Sequence, residues 1–186
     1  MQVNQTLRTQ WGNYSDRRNS YDDNEDIRQF IKLVSTNEHL SSYLKQYVNT
    51  GDYRFVPKPD GEYGVDLSLQ DKSNNNIVLT IDIERWSQWN QDWPEYYKHI
   101  HFLGRKEKFL KRETPFFMGF MNYHRTKVLM ISKKDIQKYP TIEKFFKHKQ
   151  VSDKVRELPM KDGYVFGDGL TEREKRVFNA YAEEKW

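Results

Sequence analysis

The chain has 186 residues, with 31 Lys and Arg against 27 Asp and Glu and a net charge of +4, which is the size of one domain. No apolar run approaches the roughly 18 residues of a membrane span, and with no cysteine there is no disulfide framework, thiolate nucleophile or Cys-ligated zinc. The polar start from Met1 to Gln10 lacks the apolar stretch of a secretory signal, so a cytoplasmic location is expected.

Residues 1 to 21 are polar and unpatterned and are expected to form a flexible arm ahead of a single domain over 22 to 186. A helix is expected to start after Asp22 or Asp23, with Ile27, Phe30, Ile31 and Val34 at helical spacing. Asn37 can cap a second helix through Leu40, Tyr43, Leu44 and Tyr47, ending at Gly51. The period then changes to 2. Tyr53 to Pro57 reads as a strand, Pro59-Asp60-Gly61 as a turn, and Glu62 to Gln70 and Ile77 to Arg85 as two further strands. After a tryptophan-rich segment, Phe116 to Tyr123 and Lys127 to Ile131 read as strands around a turn at His124 to Thr126. Helical pieces are expected after Ser132 and after Thr141. Asp162 to Gly169 has the look of turns around a short strand. Thr171-Glu172-Arg173-Glu174 is a capping box opening a last helix through Val177, Phe178 and Tyr181. The fold class is therefore mixed α and β, of the α+β type.

Charge is segregated along this order. Residues 1 to 97 carry 10 basic and 15 acidic side chains, whereas 98 to 149 carry 14 and 4. A basic segment beside an acidic half is the asymmetry expected when a polyanion must approach an acidic site, and it is equally what a solvated lysine-rich face looks like.

The acidic site itself has a pattern. Val65, Leu67 and Leu69 alternate with Asp66, Ser68 and Gln70, and Ile77, Leu79, Ile81 and Ile83 alternate with Val78, Thr80, Asp82 and Glu84. A hairpin turning near residue 74 puts Asp66 opposite Asp82, with Glu84 diagonal to Asp66 and opposite Gly64, whose missing side chain would leave room. Three carboxylates facing one another across a sheet ask for a cation or a raised pKa, and an oxygen-only set favours Mg²⁺, then Mn²⁺ or Ca²⁺. Such an ion keeps positions open for phosphate oxygens and water, which suits phosphodiester hydrolysis. An exposed hairpin with an incidentally acidic face is the alternative.

This arrangement resembles the core of the PD-(D/E)XK nuclease superfamily, the restriction-endonuclease-like fold. Asp66 matches the first motif Asp in its Gly-x-Asp strand, and Asp82-Ile83-Glu84 matches the second half. The resemblance spans about residues 23 to 135. It implies a central, mainly antiparallel or mixed sheet flanked by helices, a Mg²⁺- or Mn²⁺-dependent endonuclease acting on DNA, and Asp66, Asp82 and Glu84 as metal ligands. Glu84 stands where the family has Lys, as in a minority of restriction enzymes with a carboxylate there. The positive charge must then come from elsewhere, and Arg105 and Lys106, in the run Leu103-Gly104-Arg105-Lys106-Glu107-Lys108, are the candidates to meet phosphate or the leaving group. Lys106 is taken as catalytic, and Arg105, Lys106 and Lys108 as nucleic-acid contacts. Glu25 and Glu38 are candidates for the acid that many members carry on the first helix.

Trp86, Trp89 and Trp93 follow the carboxylates directly, where rings can stack on bases or cover a core edge; Trp86 and Trp89 are taken as nucleic-acid contacts. His99 and His101 lie beside them without a visible partner. Phosphate-loop, dinucleotide-fold and nucleophile-elbow motifs are absent. The expected function is a metal-dependent endonuclease, with a non-catalytic nucleic-acid-binding module or a protein-interaction domain as alternatives. Cleavage of both strands would suit a homodimer. Small size, high Asn and Tyr content and the lack of Cys suit a phage or mobile-element protein.

Overall fold

The computed structural model describes residues 18–58, 64–147 and 149–180. Most of the expected arm, the Pro59-Asp60-Gly61 turn, the Glu62 start of the second expected strand and Tyr181 lie outside them.

Helix α1 (Arg18–Thr36) begins well ahead of Asp22. In the sequence of its early turns Tyr21 stands alone among polar residues and reveals no period, yet a helix once nucleated extends at little cost. It buries Ile27 and Phe30 and ends where the hydroxyls of Ser35 and Thr36 bond back to the Lys32 carbonyl at 2.8 and 2.9 Å. Asn37 then caps α2 (Glu38–Lys45), accepting from the Leu40 N–H at 2.9 Å, and Leu40, Tyr43 and Leu44 are buried.

Next come β1 (Tyr53–Pro57), β2 (Leu67–Asp71) and β3 (Ile77–Arg85), an antiparallel meander. The β2–β3 turn is closed by Asp71, whose carboxylate accepts from the Ser73 N–H at 2.8 Å, and Asn75 takes the positive φ of 62° that asparagine tolerates. Beyond the tryptophan segment lie β4 (His99–Leu103), a 3₁₀ segment (Gly104–Lys111), β5 (Phe116–Met121), β6 (Lys127–Ser132) and α3 (Lys133–Ile136). The chain continues with β7 (Thr141–Phe146), β8 (Val151–Pro159), β9 (Tyr164–Gly167), α4 (Glu172–Val177) and β10 (Asn179–Ala180). The helix expected after Thr141 is thus a strand. Its alternating Ile142, Lys144 and Phe146 pair with Val155, Asp153 and Val151 of β8, and this cross-strand partner overrides local propensity.

The fold class is confirmed as mixed α+β. Seven strands form one sheet in the order β1-β2-β3-β5-β6-β9-β10, with β3 and β5 parallel and β9 and β10 parallel; β4, β8 and β7 form a second, antiparallel sheet. Helices α1 and α2 cover one face of the large sheet through Leu67, Leu69, Leu79, Ile81, Ile83 and Phe117. The other face, lined by Phe116, Met118, Phe120, Leu129 and Ile131, is roofed mainly by the small sheet, the 3₁₀ segment and the tryptophans, so long helices flank one side only. Because β3 and β5 run parallel, the 86–115 connection must cross a face, and it carries β4 and the 3₁₀ segment over Asp82. No helix among the described residues is long and apolar enough to cross a membrane.

The roof is pinned by a buried ion pair. Glu174, fully buried, accepts from Lys127 Nζ at 2.7 Å, from Trp89 Nε1 at 2.6 Å and from the Thr171 N–H at 2.8 Å, the last as part of the expected capping box. Every hydrogen-bonding group in this knot has a partner, which is the condition under which a buried pair holds. Removing one member strands the others. Glu174→Ala should lower unfolding free energy by about 3 kcal/mol in urea titrations, whereas Arg173→Ala, which cuts the neighbouring exposed pair with Glu95, should cost less than about 1 kcal/mol.

Candidate active site

The register places the carboxylates as the alternation implies. Leu67 pairs with Ile81 and Leu69 with Leu79, which sets Asp66 against the Asp82–Ile83 stretch of β3. The paired strand starts only at Leu67, and the chain bends at Asp66. As a result Val65 leaves the Leu67 face and packs with the tryptophans. Asp66 Oδ2 accepts from the Ile83 backbone N–H at 2.8 Å, fixing the side chain next to Asp82. Burial, followed by the charge of Asp82, pushes the Asp66 carboxyl well above the usual carboxylate range, against the opposing pull of the Ile83 N–H and Lys58. Lys58, at the end of β1, stands 3.5 Å from Asp66 Oδ1. Gly64 makes no room: a Cβ there would meet nothing within 4 Å.

Asp82 is 5 % exposed and Lys106 is 9 % exposed, and Lys106 Nζ donates to Asp82 Oδ2 at 2.5 Å and reaches Glu84 Oε2 at 3.4 Å. Burial alone would depress the Lys106 ammonium. The charges of Asp82 and Glu84 outweigh it and hold the group above its ordinary value, so it is a cation at neutral pH. Gly104 brings it there. A Cβ on Gly104 would come within 2.7 Å of the Lys154 carbonyl oxygen, so only glycine lets the segment press so closely onto β8. With three residues per turn, Lys106 and Phe109 then fall on the inner edge and Arg105 and Lys108 on the outer, exposed one. That period separates Lys106 from Arg105, which spacing read as a helix or loop does not.

The remaining candidates divide. Trp89 is fully buried in the roof with its N–H committed to Glu174, and the expectation that it contacts nucleic acid is corrected: the core-edge reading holds for it and for Trp93. Trp86 is half-buried and keeps a face toward a groove of about 530 Å³. Glu25 pairs with Arg28 at 3.0 Å and with Gln29 at 2.9 Å on α1, and Glu38 is exposed on α2. Both helices pack on the Ile81 side of the sheet, so neither acid reaches Asp82. Part of the basic excess over 98 to 149 is spent internally, on Asp82, Glu174, Asp135 and Glu157.

Sequence reading missed the groove. It starts at Glu84 and runs past Trp86, Tyr96 and Tyr97 to Phe146 and Lys149, joining the end of β3 to the small sheet. His101 lines it too, held within 3.2 Å of Lys144 Nζ and 3.5 Å of Glu157, and burial followed by the Lys144 charge lowers its pKa. Among the described residues no group of three His, Cys, Asp or Glu side chains stands ready to hold a metal ion. Asp66 and Asp82 form a pair, and Glu84 joins it through Lys106. Compared with protein-family models, curated proteins and solved structures, the chain matches nothing.

The strained pair has a measurable sign. A carboxyl whose folded pKa is raised contributes stability below its unfolded pKa of about 3.9 and loses it as pH climbs through the folded value. Asp66→Asn, which keeps an acceptor for the Ile83 N–H, removes that loss. Its melting temperature should exceed that of the wild type at pH 8, and the difference should vanish toward pH 4.

Proposed function

We propose that this protein is a divalent-metal-dependent DNA endonuclease. The observation that carries the reading is the convergence of Asp66, Asp82, Glu84 and Lys106, with Glu84 also lining an aromatic and basic groove. In support, the acid-bearing strand lies in a mixed sheet as the resemblance implies, and Lys106 brings from another element the ammonium that Glu84 displaces from the motif.

The donor set fits a hard divalent ion. It is oxygen-only, and the rise in the Asp66 pKa is what a nearby cation would relieve. Asp66 and Asp82 would hold Mg²⁺ or Mn²⁺, with Glu84 as a third donor. Bound there, the ion would polarise a phosphate and acidify a water. The chain's own groups do the rest. Lys106, cationic and anchored by two carboxylates, offers its ammonium to a phosphate oxygen where negative charge builds up. Glu84, 31 % exposed at its side chain, can orient the attacking water or take its proton. Arg105 and Lys108 on the outer edge meet the flanking phosphates, so affinity falls with salt.

One observation favours a second reading, a binding module of the same fold without catalysis. The Lys106 ammonium already offsets Asp82 and Glu84, as a structural ion pair would. Plasmid cleavage decides. The wild type should nick supercoiled DNA with Mg²⁺ or Mn²⁺ and not with EDTA, Asp82→Asn should lose this, and Lys106→Ala should be slower by roughly 100-fold or more. Salt-sensitive DNA binding without cleavage in either metal would favour the module.

A further inference from the structure

The rings beside the carboxylates form a ladder that runs from the core to solvent. Phe120 contacts Trp86 at 4.6 Å between centroids, Trp86 contacts Tyr97 at 5.6 Å, and Tyr97 contacts Tyr96 at 4.8 Å. Phe120 is buried, whereas Tyr96 is 69 % exposed. The rings are tilted on one another by 52°, 38° and 46° rather than stacked flat, and the exposed Tyr96 at the end of the series presents ring surface to solvent. Across the groove stands Phe146, its ring 6.1 Å from that of His101 and with the Lys149 ammonium 6.0 Å from its centroid. Arg85, Lys144 and Lys149 are the cations along the lining.

The volume, about 530 Å³, lies in the range of a site for one small ligand and is far too small to admit a duplex. Aromatic walls with cations between them are how unpaired bases and their backbone are held without regard to sequence. Glu84 belongs both to this lining and to the Lys106 cluster, so a base seated in the groove would set a phosphate of the same strand beside Lys106.

We infer that the groove between Trp86, Tyr96 and Phe146 takes an unpaired nucleotide, and that the substrate is single-stranded nucleic acid or a duplex at a gap, flap or frayed end. This rests on the nuclease reading for its catalytic part and on the groove alone for its binding part. Tyr96 ends the ladder and lies over the base, Phe146 meets the other face, and Lys149 meets a neighbouring phosphate, while Lys144 stays paired with Glu157.

Fluorescence anisotropy in EDTA, with labelled oligo(dT), oligo(rU) and a blunt duplex of equal length, tests binding without cleavage. Either single strand should bind the wild type at least tenfold tighter than the duplex. Tyr96→Ala should lose roughly tenfold of that affinity, Tyr96→Phe should retain it, and duplex binding should be the same in all three proteins. Equal or tighter binding of the duplex, or an unchanged affinity in Tyr96→Ala, would overturn the inference. Cleavage of the same oligonucleotides with Mn²⁺ separates the two proposals. Tight, Tyr96-dependent binding of single strands without cleavage keeps the groove and removes the nuclease, whereas blunt-duplex cleavage unaffected by Tyr96→Ala keeps the nuclease and removes the groove.

Discussion

The site depends on one electrostatic constraint: acidic side chains crowded on a roofed sheet face, offset by the buried Lys106 ammonium and, at Asp66, by Lys58. Asp66 is pressed against Asp82 because its own carboxylate is tied to the Ile83 N–H, and burial leaves little water to screen the repulsion. Lys106 relieves part of this from above, and the rest shows in the raised pKa of Asp66. A surface hairpin with the same residues would spread its charges into solvent. The roof sharpens the repulsion, since a low-dielectric face favours any group that brings positive charge to it.

That roof is held by polar as much as by apolar contacts. Glu174, Lys127 and Trp89 tie α4, β6 and the tryptophan segment at one point, and the Tyr123 N–H bonds the Trp89 carbonyl at 2.7 Å. With Trp89 and Trp93 fixed in the core, Trp86 is set at the boundary, its backbone N–H bonded to the Met121 carbonyl at 2.8 Å. The ring series therefore starts from the core, and Tyr96 at its end packs on Tyr97. The same connection that roofs the acids thus builds the groove beside them.

The hairpin was legible because a period of 2 leaves few choices of register, and one buried face removes most of these. Leu67, Leu69, Leu79 and Ile81 settle which way Asp82 points before any long-range contact is known. Asn37, Asn75 and Thr171 were readable for a similar reason, since caps and turns are local hydrogen-bonding chemistry. The strand at Thr141 was not, because its Lys and Phe content suits a helix equally well and only β8 decides. The tryptophans carried two readings of equal chemical sense. Trp89 and Trp86 differ by what packs over them, which three residues of spacing do not record.

By itself the sequence determined the mixed α and β class, the β2–β3 hairpin and the meeting of Asp66 with Asp82, all consequences of short-range periodicity. Tertiary structure decided that Lys106, and not Arg105, enters the cluster, that Glu25 and Glu38 sit on helices across the sheet from it, and that Trp89 is core while Trp86 and Tyr96 line a groove. The physical reason is separation along the chain. Lys106 meets Asp82 through a crossover whose path is imposed by the parallel pairing of β3 with β5 and by the close passage of Gly104 over Lys154, and neither leaves a local trace.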